Sequence, residues 1–138
     1  MRAFEFITEA KLPVSPQGLV ILVCNLFAES YAAKRTLPGI KDRLKEFIAQ
    51  KMSNPTAKFG KDDKPFVDVI PANHAKLTSN ISIVYTLSGS NPRELRLYGV
   101  FAHDDIGTGQ PSNQRKQRNF ASKMNNQMFR SLSGTDLA

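Results

Sequence analysis

The side chains in this sequence able to move protons or hold phosphate are two histidines, a pair of adjacent acids and a run of cations. His103-Asp104-Asp105 follows directly on the apolar stretch Leu97-Tyr98-Gly99-Val100-Phe101-Ala102. Imidazole is the one side chain whose ordinary pKa lets it accept or give a proton near neutrality, so His103 at a strand end is a candidate acid or base. The alternative is a turn histidine bonded to Asp104 or Asp105. His74-Ala75-Lys76 is the second candidate. In an extended segment His74 and Lys76 point to the same side about 7 Å apart, able to embrace a phosphate or simply solvated. Tyr85 and Tyr98 are suited either to stacking on bases or to packing. Arg115-Lys116-Gln117-Arg118 sits where a helix would begin, and cations there oppose the helix dipole, so a polyanion or a plain solvated face must account for them.

Several chemistries are excluded. There is no phosphate-cradling glycine loop, dinucleotide fingerprint, His-Glu-x-x-His pair or nucleophile elbow. Two histidines about thirty residues apart and a single cysteine do not make a structural zinc site. Asp104 and Asp105 could hold Mg²⁺, but adjacent acids after a strand also serve as turn residues. No cofactor is expected. Lys and Arg number 19 against 12 Asp and Glu, a formal charge of +7, which favours polyanionic partners. Cys24 lies in an apolar run and is read as a buried, inert thiol, consistent with a reducing, cytoplasmic location. The longest apolar stretch, residues 19–27, falls far short of the roughly 20 residues that cross a bilayer. It has no signal-peptide pattern either, so neither export nor membrane insertion is expected.

The elements that must position these groups follow from periodicity. Pro13 and Pro16 break residues 1–17 into an N-terminal arm. Gly18 releases Leu19-Val20-Ile21-Leu22-Val23, a β-branched run read as a strand buried on both faces. Residues 29–35 are helix-compatible. After Pro38-Gly39, Ile40, Leu44, Phe47, Ile48 and Met52 form the stripe of an amphipathic helix ending at Asn54-Pro55. A charged loop over residues 58–64 leads to a short edge strand at 65–70. Residues 81–87 and 95–101 then form a hairpin, with Leu95, Leu97, Gly99 and Phe101 expected on one face. Ser112 is the expected N-cap of a terminal helix carrying Phe120, Met124 and Met128 on one stripe, and residues 131–138 are expected to fray. This order predicts one α+β domain over residues 1–138: a small antiparallel-rich sheet packed on one face by helices from the N-terminal half, closed by a basic C-terminal helix.

In order and local pattern, residues 19–129 resemble the RelE/YoeB family of ribosome-dependent mRNA endoribonuclease toxins. Leu19-Val20-Ile21-Leu22-Val23 resembles the family's first strand, and Ile40 to Met52 with Ser53-Asn54-Pro55 resembles its long helix and Asn-Pro stop. His74-Ala75-Lys76-Leu77 matches a strand with paired basic residues, Ile83-Val84-Tyr85 the strand with an Arg-x-x-Tyr pattern, and Leu97 to His103 the last strand. The family's arginine is replaced by Ser82, and a strand-ending arginine by His103. The resemblance implies metal-independent RNA cleavage by 2′-OH attack on the ribosome, with His103, Lys76 and His74 catalytic and Arg115, Lys116, Arg118, Tyr85 and Arg96 on the RNA. It implies mRNA and ribosomal RNA as partners, together with a neutralising antitoxin. The rival reading, prompted by Ser82, is a non-catalytic RNA- or ribosome-binding protein on the same scaffold.

Overall fold

The computed structural model describes residues 18–67, 69–89 and 92–138, so the N-terminal arm lies outside the described residues. Strand β1 (Leu19–Val23) leads into helix α1 (Asn25–Lys34) and, after a left-handed Gly39, helix α2 (Ile40–Ser53). Strands β2 (Lys64–Pro65), β3 (Asn73–Lys76), β4 (Ile81–Ser88) and β5 (Arg93–Ala102) follow. The single-turn helix α3 (His103–Ile106), helix α4 (Gln114–Asn125) and strand β6 (Arg130–Ser131) complete the chain with a 3-10 turn at Gly134–Leu137. The strands form one sheet in the order β2-β3-β4-β5-β1-β6, antiparallel except where β1 lies parallel to β5. The expected α+β class and antiparallel-rich sheet are therefore observed.

The main core lies on the sheet face covered by α1 and α2. Leu19, Ile21 and Val23 of β1, Phe27 and Tyr31 of α1, and the α2 stripe Ile40, Leu44, Phe47 and Ile48 are buried against Ile83, Leu95, Leu97 and Val100. Each such side chain contributes on the order of 1.5–3 kcal/mol of hydrophobic stabilisation when fully removed from water. Val20 and Leu22, on the other face of β1, are only half-covered, so this strand is not buried on both faces as expected. Cys24 is buried as anticipated, its thiol pKa pushed up by burial.

The opposite sheet face is not open. Phe120 and Met124 of α4 pack with Ile106 over Ile70, Ala72, Val84 and Tyr98, correcting the expectation that helices cover one face only. A β-bulge sets which β5 residues meet each face: Tyr85 pairs with Leu97 and Val84 with Gly99, leaving one extra residue in β5. An extra residue reverses the alternation beyond it. Val100 therefore joins the α1/α2 core, while Phe101 points to the other side and meets Phe120 edge to face. Gly99 is required there because a Cβ would strike the Phe101 ring and the Ser30 hydroxyl, and that hydroxyl accepts the Val100 N–H at 3.0 Å.

Four further boundaries differ from expectation. Asn113, not Ser112, caps α4, its side chain accepting from the Lys116 N–H at 3.1 Å, and Ser112 instead accepts from Gln117. The helix ends at Asn125, so Met128 falls outside it and is 88% exposed. Residues 131–138 do not fray: Leu132 and Leu137 are buried, Ser131 pairs with Leu22, and Arg130 grips Asp136 through two bonds of 2.8 and 2.6 Å. The edge strand β2 covers only Lys64–Pro65 rather than residues 65–70.

Candidate nucleic-acid interface

Strand β3 places Ala75 in the α2-side core, which turns His74 and Lys76 together to the α4 side, as the period of two requires. Lys64 of β2 stands directly across from His74, whose other neighbour is Val84; Lys76 stands across from Ser82, and Ser82 from Phe101. At the end of β5 the chain turns into α3, which brings His103 back toward this edge. The rings of His74 and His103 lie 6.4 Å apart, centre to centre, at a steep mutual angle. Two residues twenty-nine positions apart in sequence thus share one site, because β3, β4 and β5 are consecutive neighbours in the sheet.

Each imidazole is held differently. The His103 Nδ1 lies 2.9 Å from the Thr108 hydroxyl, which also donates to the His103 carbonyl at 3.4 Å. With the hydroxyl proton so used, its oxygen is free to accept from Nδ1–H, leaving Nε2 as the nitrogen available for chemistry. The local partner of the His103 ring is thus Thr108, while Asp105 accepts from the Ala102 N–H at 2.9 Å and pairs with Lys34 at 3.2 Å. His74 is stacked on Phe66, ring centres 4.4 Å apart, with a buried Nδ1 that has no hydrogen-bond partner among the described residues. Burial, and then the positive neighbours His103 and Lys64, push the His74 pKa below its ordinary value against the opposing pull of Asp62 and Asp63. Burial thus favours the uncharged form of the His74 imidazole. Lys76 is half-exposed and 3.5 Å from Asp62, an ion pair weak enough to be exchanged for a phosphate.

The remaining expected site residues divide. Arg115, Lys116 and Arg118 are exposed on α4, on the same side of the sheet as the histidines. The start of α4 is tied to the end of α3 by Gln117, whose amide donates to the Gly107 carbonyl at 2.8 Å. Arg96 also faces this side, half-exposed beside Glu94 at 3.0 Å and lying over the Phe129 ring. Tyr85 does not belong here. It is buried on the α2 side, its hydroxyl donates to Asp63, and burial followed by that carboxylate holds its pKa above the ordinary phenol range. Its assignment to the RNA face is corrected: its alternation partners Ile81 and Ile83 are core residues. Tyr98 packs edge to face on Phe129.

Sequence reasoning missed Lys64 and Phe66, because Lys64 read as the end of a charged loop over residues 58–64 and Phe66 as part of a short edge strand at 65–70. It also missed the buried pair beneath them. Lys51 and Asp63 lie 2.9 Å apart with side chains 3% exposed, and Lys51 also donates to the Ala57 carbonyl at 2.6 Å. The signal was available, since Lys51 stands eleven residues from Ile40, on the apolar stripe of α2.

Among solved structures, this architecture is shared with a YoeB/ParE toxin from Agrobacterium tumefaciens. The chain has a YoeB/ParE toxin fold. The TM-score is 0.52 and the identity 20%, over 61% of this chain and 98% of that one. The expected RelE/YoeB resemblance therefore holds at the level of fold. No protein-family model matches the chain, and no curated protein matches it. Among the described residues no helix is long and apolar enough to cross a membrane.

Proposed function

We propose that this chain is a toxin-like endoribonuclease that cuts mRNA on the ribosome by 2′-OH attack and so inhibits translation. The observation that carries the reading is the approach of His74 and His103 to 6.4 Å on an edge bearing Lys64 and Lys76. Cleavage of this kind requires a base for the 2′-OH proton, charge balance at the phosphate and an acid for the departing 5′-oxygen. His74, kept uncharged by burial, takes the 2′-OH proton. The 2′-oxygen bonds to phosphorus, the phosphorus–5′-oxygen bond breaks, and protonated His103 delivers a proton from Nε2 to the leaving oxygen. The products are a 2′,3′-cyclic phosphate and a 5′-hydroxyl. Lys64 and Lys76 offset the growing charge on the phosphate, while Arg115, Lys116, Arg118 and Arg96 hold neighbouring backbone. On the ribosome the message is already aligned, so a sparse catalytic set suffices. As a toxin-like protein acting in the cytoplasm it would be neutralised by an antitoxin covering the basic edge.

A second reading, a non-catalytic RNA- or ribosome-binding protein, is favoured by Ser82. This position is buried between Lys76 and Phe101 and supplies no cation. A translation reaction with primer-extension mapping separates the two. Codon-phased cuts that vanish in His103→Ala and weaken in Lys76→Ala support the enzyme; ribosome binding without cuts supports the binding protein. Cuts undiminished in both variants reject the site.

A further inference from the structure

Beyond His74, away from the Lys76 end of β3, the sheet edge opens into a groove of about 480 Å³. Pro65, Phe66, Ile70 and Pro71 supply apolar walls and the Thr86 hydroxyl a polar group, while Asn73 borders the groove from the strand whose Ala75 and cross-strand partner Tyr85 lie on the α2 side. That volume falls within the range of small-ligand sites, and the exposed lining is mixed, with polar surface at least matching apolar. Phe66 joins the groove to the catalytic edge: its ring stacks on His74 at 4.4 Å and also lines the cavity. Cations flank both ends. Lys64 stands across from His74, and Arg96 stands across from Thr86 on the neighbouring strand. Thr86 is two residues along β4 from Val84, the cross-strand partner of His74, placing the groove about 7 Å from the catalytic row.

We propose that this groove receives an unstacked nucleobase of the RNA strand, stacked on Phe66 and hydrogen-bonded at its edge by the Thr86 hydroxyl, with adjoining phosphates held by Lys64 and Arg96. The inference rests on the RNA-cleaving reading and deepens it by naming the subsite for a base flanking the cut. A nucleotide is the occupant that matches both halves of the surface. Its base needs an aromatic wall and a donor and acceptor, and its phosphates need the cations at either end. An apolar peptide side chain would use the walls but leave the polar floor and the flanking charges without partners. The same groove supplies the base-stacking role that Tyr85, buried behind the sheet, cannot fill.

The test uses the full chain and a single-stranded pentanucleotide with 2-aminopurine at one position. The reacting sugar is made 2′-deoxy so that binding is read without cleavage. The native chain should quench the fluorophore and bind the oligonucleotide roughly tenfold more tightly than Phe66→Leu, which keeps apolar bulk but removes the ring. Phe66→Tyr should retain quenching, Thr86→Val should weaken binding, and an oligonucleotide abasic at the probe position should bind the native chain as weakly as the intact one binds Phe66→Leu. Lack of quenching by the native chain overturns the subsite, as does equal affinity of Phe66→Leu and the native chain. A concentration-dependent dimer abolished by Phe66→Leu, without quenching, gives the groove to a second copy and also overturns it. Quenching that follows this pattern while all-ribose message on ribosomes stays uncut removes the nuclease and leaves the base subsite standing. Cutting without quenching does the reverse.

Discussion

Replacing Asp63 by alanine tests how the buried polar cluster supports the site above it. Asp63 accepts from the Lys51 ammonium at 2.9 Å, the Phe59 N–H at 2.7 Å and the Tyr85 hydroxyl. Truncation leaves a buried ammonium holding only the Ala57 carbonyl, and a buried phenol and amide without their acceptor. Breaking one side of a buried ion pair costs about 3–5 kcal/mol, because the surviving charge stays desolvated. Against a total stability of about 5–15 kcal/mol this is a large fraction, corresponding to a fall in Tm on the order of 10–20 °C. The chain has no tryptophan, so urea unfolding is best followed by far-ultraviolet circular dichroism, with tyrosine fluorescence as a second probe. The cycle is completed with Lys51→Met and the double variant Lys51→Met/Asp63→Ala. The double variant should be less destabilised than the sum of the singles by at least about 1 kcal/mol, since it removes both charges together. A loss below about 1 kcal/mol in Asp63→Ala, the size expected of a solvated pair, would refute the buried-charge argument. Asp63 immediately precedes Lys64, the strand position across from His74, so loosening the cluster should also loosen the catalytic edge.

Other consequences follow from single side chains. The folded-state pKa of His74 lies below its ordinary value of 6.5, so the unfolded chain binds more protons just below that pH. The penalty for charging this imidazole is therefore absent above pH 6.5 and grows as the pH falls toward the folded pKa. Denaturation profiles between pH 7 and pH 5 should show stability falling with acid in the native chain and a flatter dependence in His74→Gln; an equal slope in both rejects the assignment. Gly99→Ala should cost about 1–3 kcal/mol through collision with Phe101 and Ser30, measured by urea denaturation, and a neutral result would mean that the bulge relaxes freely. Leu132→Ala should cost about 2–5 kcal/mol, because this residue is buried beside β1, whereas a fraying tail would lose almost nothing.

Much of the scaffold is legible in residue order. The stripe of α2, the β-branched run of β1 and the paired direction of His74 and Lys76 all follow from periods of 3.6 and 2, which are local properties. The meeting of His74 with His103 is not local. It depends on β3, β4 and β5 being sheet neighbours and on the turn into α3, which no spacing encodes. Alternation assigns Tyr85 to the face of Ile83 but does not say that α2 covers that face, so the residue was placed on the wrong side. The bulge had a visible cue, a glycine inside a strand, and with it Phe101 could have been assigned to the α4 side. The tail was misread because its serines and glycine suggested fraying, while the two leucines that anchor it carry no periodic signal. Lys64 and Phe66 were hidden at the junction of the charged loop 58–64 and the short edge strand at 65–70, where neither spacing nor alternation points to His74.

The chemistry of the cut ends tests the central claim most directly. Ribosome-bound message treated with the native chain should yield a 2′,3′-cyclic phosphate and a 5′-hydroxyl, and His74→Ala and His103→Ala should each slow cleavage by about 10²–10⁴-fold. Ends bearing a 3′-hydroxyl and a 5′-phosphate, or native rates in both histidine variants, would contradict it.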